Sequence, residues 1–500
     1  MKGMAPKKDS SNIAEILDKL DDSFITKVKQ KVFFLCSNLI DEETSKIVLL
    51  FLSYSTHFQV FLVSFSDVMF PKWSIDSFAS IVNYIYKAFF IAPLLQTFNS
   101  YTLLVVLTLL FMLFITCCFL LCGYISFKVQ SKDSPGITLG LCKIMITLFR
   151  NLLFIPSMSV FLTNFTCVSG LQTSTLFSDA SVTCSSTSQI IMIGVSIVGI
   201  TLSAILQILV DVFLVDIDFV KNASFSQKPF HQNAIASVLK FLISVFCVFS
   251  PSFTNTFLII FYFVFLALTM GIIYVYKVIR PFYNYSDNHF YATVVIIKFV
   301  TLVIITIQLL FNNVLQSMCL SIWALIVLLI VVNSWAKGSP PTELLTIFVP
   351  KTNNFNLIND HLIFLNQLYN NYTFNIESKM ILQGFIEFHR HRCSNPDCPV
   401  RFDNIQLTKE NTLERVAPIL IEYIDFCFNA TFVRYNYNPE VAIYYAIFLM
   451  EVLKNDSRSL VILKKMKSMK LSLFLQFMVF KLIFKINKIK DSSEMANLNS

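Results

Sequence analysis

The chain has 500 residues, enough for two or three domains, of which 55% are apolar and only 14% charged. Soluble domains carry about 25% charged residues, so composition excludes a wholly soluble protein, and the mean hydropathy of +0.66 agrees. The net charge of +8 comes with no contiguous basic stripe, which suits apposition to anionic lipid at membrane edges and excludes nucleic acid as the expected partner.

The first 45 residues are polar and Lys-rich, so no cleavable signal peptide is expected. Ser11 ahead of Ile13, Ile16 and Leu17 predicts a short amphipathic helix along the membrane surface. A bilayer-crossing helix needs roughly 20 apolar residues, and about eight runs approach that length: 46–68, 101–127, 140–162, 190–214, 234–249, 254–276, 291–311 and 314–332. Segment 80–95 is apolar but short, with Asn83, Lys87 and Pro93 inside it, and is expected to be interfacial or re-entrant. The positive-inside rule places both termini in the cytosol together with Lys128, Lys132, Lys221, Lys228, Lys277 and Arg280. Loop 163–189 has no Lys or Arg and is expected outside. It holds Cys167 and Cys184, for which a disulfide is favoured over two free thiols, and the sequon Asn164-Phe165-Thr166, a candidate glycosylation site.

Charge inside a span is costly and marks candidate function. Arg150 lies near the middle of the third run, beside Asn151 and six residues before Pro156. Lys143, Lys240 and Lys298 lie nearer the ends, where they are expected to snorkel, and Asp211 or Asp216 could pair with one of these cations. Two readings stay open: an ion or substrate path using Arg150, Asn151 and Gln207, or a hydrogen-bond network joining helices. Cys117, Cys118, Cys122, Cys142 and Cys247 read as small apolar packing residues.

After Trp335, the stretch Lys337-Gly338-Ser339-Pro340-Pro341 ends the membrane block and opens a linker over 336–354. Helical periodicity returns over 355–490, with helices expected at 356–369, 376–391, 411–428, 439–454 and 457–469 and no strand signals; 491–500 reads as a disordered tail. Asn438-Pro439-Glu440 is a helix start, and Ala442, Tyr445, Ala446, Leu449 and Val452 predict one buried face. Such helix pairs suggest a TPR-like solenoid. The last helix, 471–489, is either a solenoid helix whose next partner is missing or unusual or an amphipathic helix lying on the membrane.

The run from Gly384-Phe385-Ile386-Glu387-Phe388-His389 through Cys393-Ser394-Asn395-Pro396-Asp397-Cys398-Pro399 resembles the signature of tiny-macrocyst-protein-like (TmcB/TmcC-type) membrane proteins. The stretch 438–451 is similar to that family's TPR-type region, and Asn164 with Cys167 to its external loop. The resemblance implies a large multipass protein of unicellular eukaryotes, often with a sensor domain, and it supports His389, Cys393 and Cys398 as a functional group. Those three residues, with His391, which lies outside the family's pattern, could hold a structural zinc. A buried helix corner with reduced thiols and a redox disulfide remain alternatives.

No phosphate-binding loop, nucleophile elbow, zinc-protease motif or dinucleotide fingerprint occurs, so an enzyme is not expected. The expectation is therefore an all-α polytopic bundle of about eight spans (46–335) behind a cytosolic segment (1–45) and followed by a TPR-like solenoid. Its expected function is sensory, signalling or scaffolding, in the plasma membrane or an endomembrane, with cytosolic protein partners and homo-oligomerisation; a channel or transporter is the alternative.

Overall fold

The computed structural model describes residues 24–41, seven positions within 51–62, 76–98, 100–130, 137–169, 174–176, 179–214, 232–250, 254–279, 285–310, 319–336, 361–363, 365, 385–387, 412–435 and 437–498. Apart from one small sheet, the described elements are helices. Five of them are long and apolar enough to cross a membrane: Tyr101–Lys128, Ile137–Thr163, Thr187–Phe213, Asn255–Lys277 and Asn288–Leu310. Ile235–Phe249 and Trp323–Asn333 are apolar but shorter. The first expected span, 46–68, lies mostly outside the described residues, but its buried positions Leu52, Ser55, Gln59 and Leu62 fall on one helical face.

In chain order, α1 (Phe24–Asp41) precedes the bundle. Segment 80–95 becomes two helices, α2 (Asp76–Phe90) and α3 (Ala92–Phe98). They are broken at Ile91, whose φ of 59° lies in the left-handed region, where a β-branched residue is strained. Fifteen residues of α2 rise only about 22 Å, short of the roughly 30 Å hydrocarbon core. Neither piece alone reaches that length, and both pack on the same helix, Phe154–Thr163.

α4 (Tyr101–Gln130) is apolar all round, and Leu109, Leu110, Leu113, Leu120 and Phe127 remain exposed on it, as on a lipid-facing surface. The next span is composite: α5 (Ile137–Leu148), one π-helical turn (Phe149–Leu153) and α6 (Phe154–Thr163). The cause of the irregularity is Pro156. Lacking an N–H, it cannot donate to the carbonyl of Leu152 one turn back, and a widened turn precedes it. α6 is buried along nearly its whole length and touches α2, α3, α4 and the two helices that follow.

Loop 163–189 folds into an antiparallel sheet of β1 (Cys167–Ser169), β2 (Ser174–Leu176) and β3 (Asp179–Thr183), in the order β1-β2-β3. Cys167 and Cys184 are joined by a disulfide, with Cα atoms 6.3 Å apart, that closes the base of this sheet. Then come α7 (Thr187–Phe213), α8 (Gln232–Phe249), α9 (Asn255–Tyr274) with a π turn at Val275–Ile279, α10 (Tyr285–Leu310) and α11 (Cys319–Ala336). A Cβ on Gly199 of α7 would meet the Phe161 ring at 2.7 Å and the Met112 sulfur at 2.9 Å. The glycine therefore lets α4, α6 and α7 approach closely, the usual device of membrane helix packing.

The tail domain comprises α12 (Thr412–Arg434), α13 (Pro439–Glu451), α14 (Asp456–Lys467) and α15 (Leu473–Leu498). Asn438 caps α13 by accepting from the Glu440 N–H at 2.9 Å, with Pro439 at the first position. α13 is buried over ten consecutive residues, Val441 to Met450, not on one face. The physical reason is that Ile443, Tyr444, Ile447 and Phe448 are as apolar as the positions the period picked out, so the helix is a central rod enclosed by its neighbours.

α1 joins the two regions. It packs on α4 and α5 of the bundle and on α15 of the tail. The Phe33 ring lies 5.7 Å from Phe213 at the end of α7 and 5.3 Å from Phe477 of α15, and Phe213 lies 5.4 Å from Phe477. α15 is thus neither partnerless nor laid on lipid along this face: the N-terminal helix supplies its partner.

Candidate functional site

The composite span delivers Arg150 into the interior on its π turn. Its Nε donates to Asp211 Oδ1 of α7 at 2.7 Å, with Asp211's side chain 5% exposed and Arg150's 22%. One turn earlier on α7, Gln207 Nε2 donates to the other carboxylate oxygen at 2.8 Å, and Ser237 Oγ of α8 donates to that same oxygen. The Asp211 carboxylate so accepts from three side chains on three elements, which is what keeps a charge tolerable at low dielectric.

The backbone freed by the π turn and Pro156 is also capped by side chains. Lys240 Nζ of α8 donates to the Arg150 carbonyl at 2.7 Å. Gln59 Nε2, from the first expected span, donates to the Leu152 carbonyl at 2.8 Å. Ser244 Oγ, one turn along α8 from Lys240, donates to the Lys240 carbonyl at 3.0 Å and reaches the Ile155 carbonyl at 3.5 Å. In a bilayer interior, where water does not replace a lost helix bond, such substitutes let an irregular turn persist.

Sequence reasoning singled out Arg150, Gln207, Asp211 and Lys240, and the fold brings all four together. Asn151 sits half-buried beside them. Lys240 and Lys298 do not snorkel: they are 6% and 7% exposed and lie within the bundle. Lys143 does reach an end, donating to the Ile40 carbonyl of α1 at 3.4 Å. Ser237 was missed, since a lone serine in an apolar run carries no signal by itself. Gln207 Oε1 is buried with no hydrogen-bond partner among the described residues, which leaves one acceptor open beside the carboxylate.

A second polar group closes the opposite end of the bundle. Asn164 is fully buried; its Nδ2 donates to Thr108 Oγ1 at 3.1 Å and to the Val160 carbonyl at 3.3 Å. Gln189 Nε2 of α7 donates to the Asn164 carbonyl at 2.6 Å. The sequon expectation is corrected here: an amide engaged inside the bundle has no room for a glycan.

His389, His391, Cys393 and Cys398 lie outside the described residues. Among the described residues no cluster of three or more His, Cys, Asp or Glu side chains is arranged to hold a metal. Cys122 and Cys142 approach to 3.8 Å between α4 and α5, a packing contact of two free thiols. No protein-family profile, curated protein or solved structure matches the chain.

Proposed function

We propose that this chain is a multipass membrane signalling or scaffold protein, with both termini cytosolic, whose tail domain binds protein partners in register with the state of the bundle. The observation that carries this reading is the Phe33–Phe213–Phe477 contact. Phe213 stands two residues from Asp211 on α7, so a shift of α15 against α1 bears directly on the helix holding the buried carboxylate. The π turn at Phe149–Leu153 is the element suited to two arrangements, because one residue of register separates it from regular helix. The resemblance of residues 384–399 to a multipass family that often carries sensor domains points the same way.

The test is hydrogen exchange on the full chain in nanodiscs, comparing the parent with Asp211→Asn. Coupling predicts changed protection in α1 and α15, some distance from the substitution. Unchanged exchange throughout the tail would sink it.

A second reading, an ion or substrate path, has one observation of its own. Arg150 and Lys240 lie at the carboxylate of Asp211, Lys298 is a third buried cation of the bundle, and Arg150 retains 22% side-chain exposure. Flux or conductance in proteoliposomes, diminished by Arg150→Gln, supports that path; none for any ion tested removes it.

A further inference from the structure

Residues 457–490 contain nine Lys or Arg and no Asp or Glu. Part of that charge is used internally: Lys485 pairs with Glu451, and Lys481 is buried. The remainder gathers where α14 turns into α15. Lys464, Lys465, Lys467 and Lys470 are exposed there, and two apolar side chains stand among them, Met469 at 38% and Leu473 at 50% exposure. Three of these lysines lie in or just past the last turn of α14, where they also complement the helix dipole. Lys465 Nζ rests over the ring of the exposed Tyr437, 3.4 Å from its centre, which fixes that charge at the surface of the domain.

Position decides which partner this corner fits. Leu473 is one helical turn, about 6 Å of rise, from Phe477, and the Phe477 ring touches Phe213, the last residue of α7. The corner is therefore tethered within roughly two helical turns of the point where a long apolar helix ends. Beside it Lys29 of α1 donates to Gln476 of α15, adding a further cation at the same level. Screening damps surface attraction over a decay length of about 8 Å at physiological salt, so a basic corner held at little more than that from the helix end still feels an anionic surface there, whereas a distant one would not.

We propose that the α14–α15 corner docks on an anionic bilayer surface, with Lys464, Lys465, Lys467 and Lys470 against lipid phosphates and carboxylates and with Met469 and Leu473 entering the headgroup layer. Lysines interleaved with exposed apolar side chains are the composition that interfacial segments use. The proposal rests on the bundle being embedded, not on the tail having protein partners or on its transducing anything.

The experiment uses the full chain in nanodiscs of phosphatidylcholine alone and of phosphatidylcholine mixed with phosphatidylserine, and follows hydrogen exchange of residues 464–473. Exchange about tenfold slower in the anionic discs is expected, the attraction of four lysines being partly offset by ordering the turn. That protection disappears at high salt and in K464Q/K465Q/K467Q/K470Q, while α13 stays protected. If α13 loosens in the quadruple variant, K467Q/K470Q and the salt series on the parent give the answer. Equal exchange in the two discs, as an acidic protein partner would leave it, overturns the proposal, as does protection that survives both salt and charge removal. Because no coupling to the bundle is read, failure here is distinguishable from failure of the signalling reading.

Discussion

The bundle and the tail domain are both helical and both have apolar cores, yet they differ in what else each buries and what each exposes. The bundle keeps Leu and Phe on its outside and draws Ser157, Ser159, Asn164, Gln189, Ser196, Gln207, Asp211 and Ser244 into its interior. The tail wraps Val441 to Met450 in further apolar residues and leaves most of its described lysines at the surface, Lys481 being buried. Burial of apolar surface drives association in water, but lipid is as apolar as leucine, so membrane helices associate through close approach and side-chain hydrogen bonds. α1 stands on the border. Its Phe33 belongs to the tail's apolar core, and its Leu39 to the bundle's.

The sharpest way to break the contrast is at Asp211. If the bundle depends on its polar interior, Asp211→Ala strands Arg150 and should cost about 3–5 kcal/mol, the usual penalty for breaking a buried pair from one side. Arg150→Met/Asp211→Leu should recover much of that loss, because a matched apolar pair carries no uncompensated charge. Thermal unfolding in detergent reads both variants, and a single variant as stable as the parent would show the pair to be incidental.

The tail's counterpart is Phe477. Its ring is fully buried and meets Phe33 and Phe213, so Phe477→Ala should cost about 3 kcal/mol. The loss should appear as faster exchange in α1 and α15 while α9 and α10 are unaffected. Loosening confined to α15 would mean that α1 belongs to the bundle alone. Gly199→Val probes close approach: a Cβ already meets the Phe161 ring, and overpacking of this kind costs about 2 kcal/mol. An unchanged melting temperature would show that Phe161 and Met112 can yield.

The sequence carried the long spans because the runs of 101–127, 140–162 and 190–214 reach bilayer length, even though Arg150, Asn151 and Pro156 interrupt the second of these. It also carried the Arg150–Asp211 pairing in outline, because an intramembrane charge needs a partner and few are available. What it could not carry was anything set by distant chain. Nothing near 471–489 indicates that its partner lies at Phe33, more than four hundred residues earlier. The period of α13 was read as one face because periodicity detects contrast, and a helix apolar on every side has none. The sequon misled because Asn164-Phe165-Thr166 specifies a chemical acceptor and says nothing about its burial. The short strands of loop 163–189 were invisible for want of length, their pairing being held by the disulfide at the base.

The smallest effect sharpens the tail's side of the comparison. A polar network lies at the surface of its core, where Tyr445 Oη donates to Asp425 Oδ1 at 2.7 Å and accepts from Arg458 Nη2 at 2.6 Å. Arg458 also lies over the Tyr445 ring, 5.5 Å from its centre. Burial first, and then the hydrogen bond to Asp425, push the Tyr445 phenol above its ordinary range. The folded chain therefore holds this proton more tightly than the unfolded chain does. The resulting stability is fully present below the unfolded phenol value near 10 and is lost as pH climbs through the raised folded value. Tyr445→Phe should cost about 1 kcal/mol at neutral pH, the net worth of such a bond. It should also flatten the fall in tail stability above about pH 10. An alkaline profile that is unchanged by the substitution would place the titration elsewhere, and the polar network would then contribute packing around Arg458 and no proton linkage.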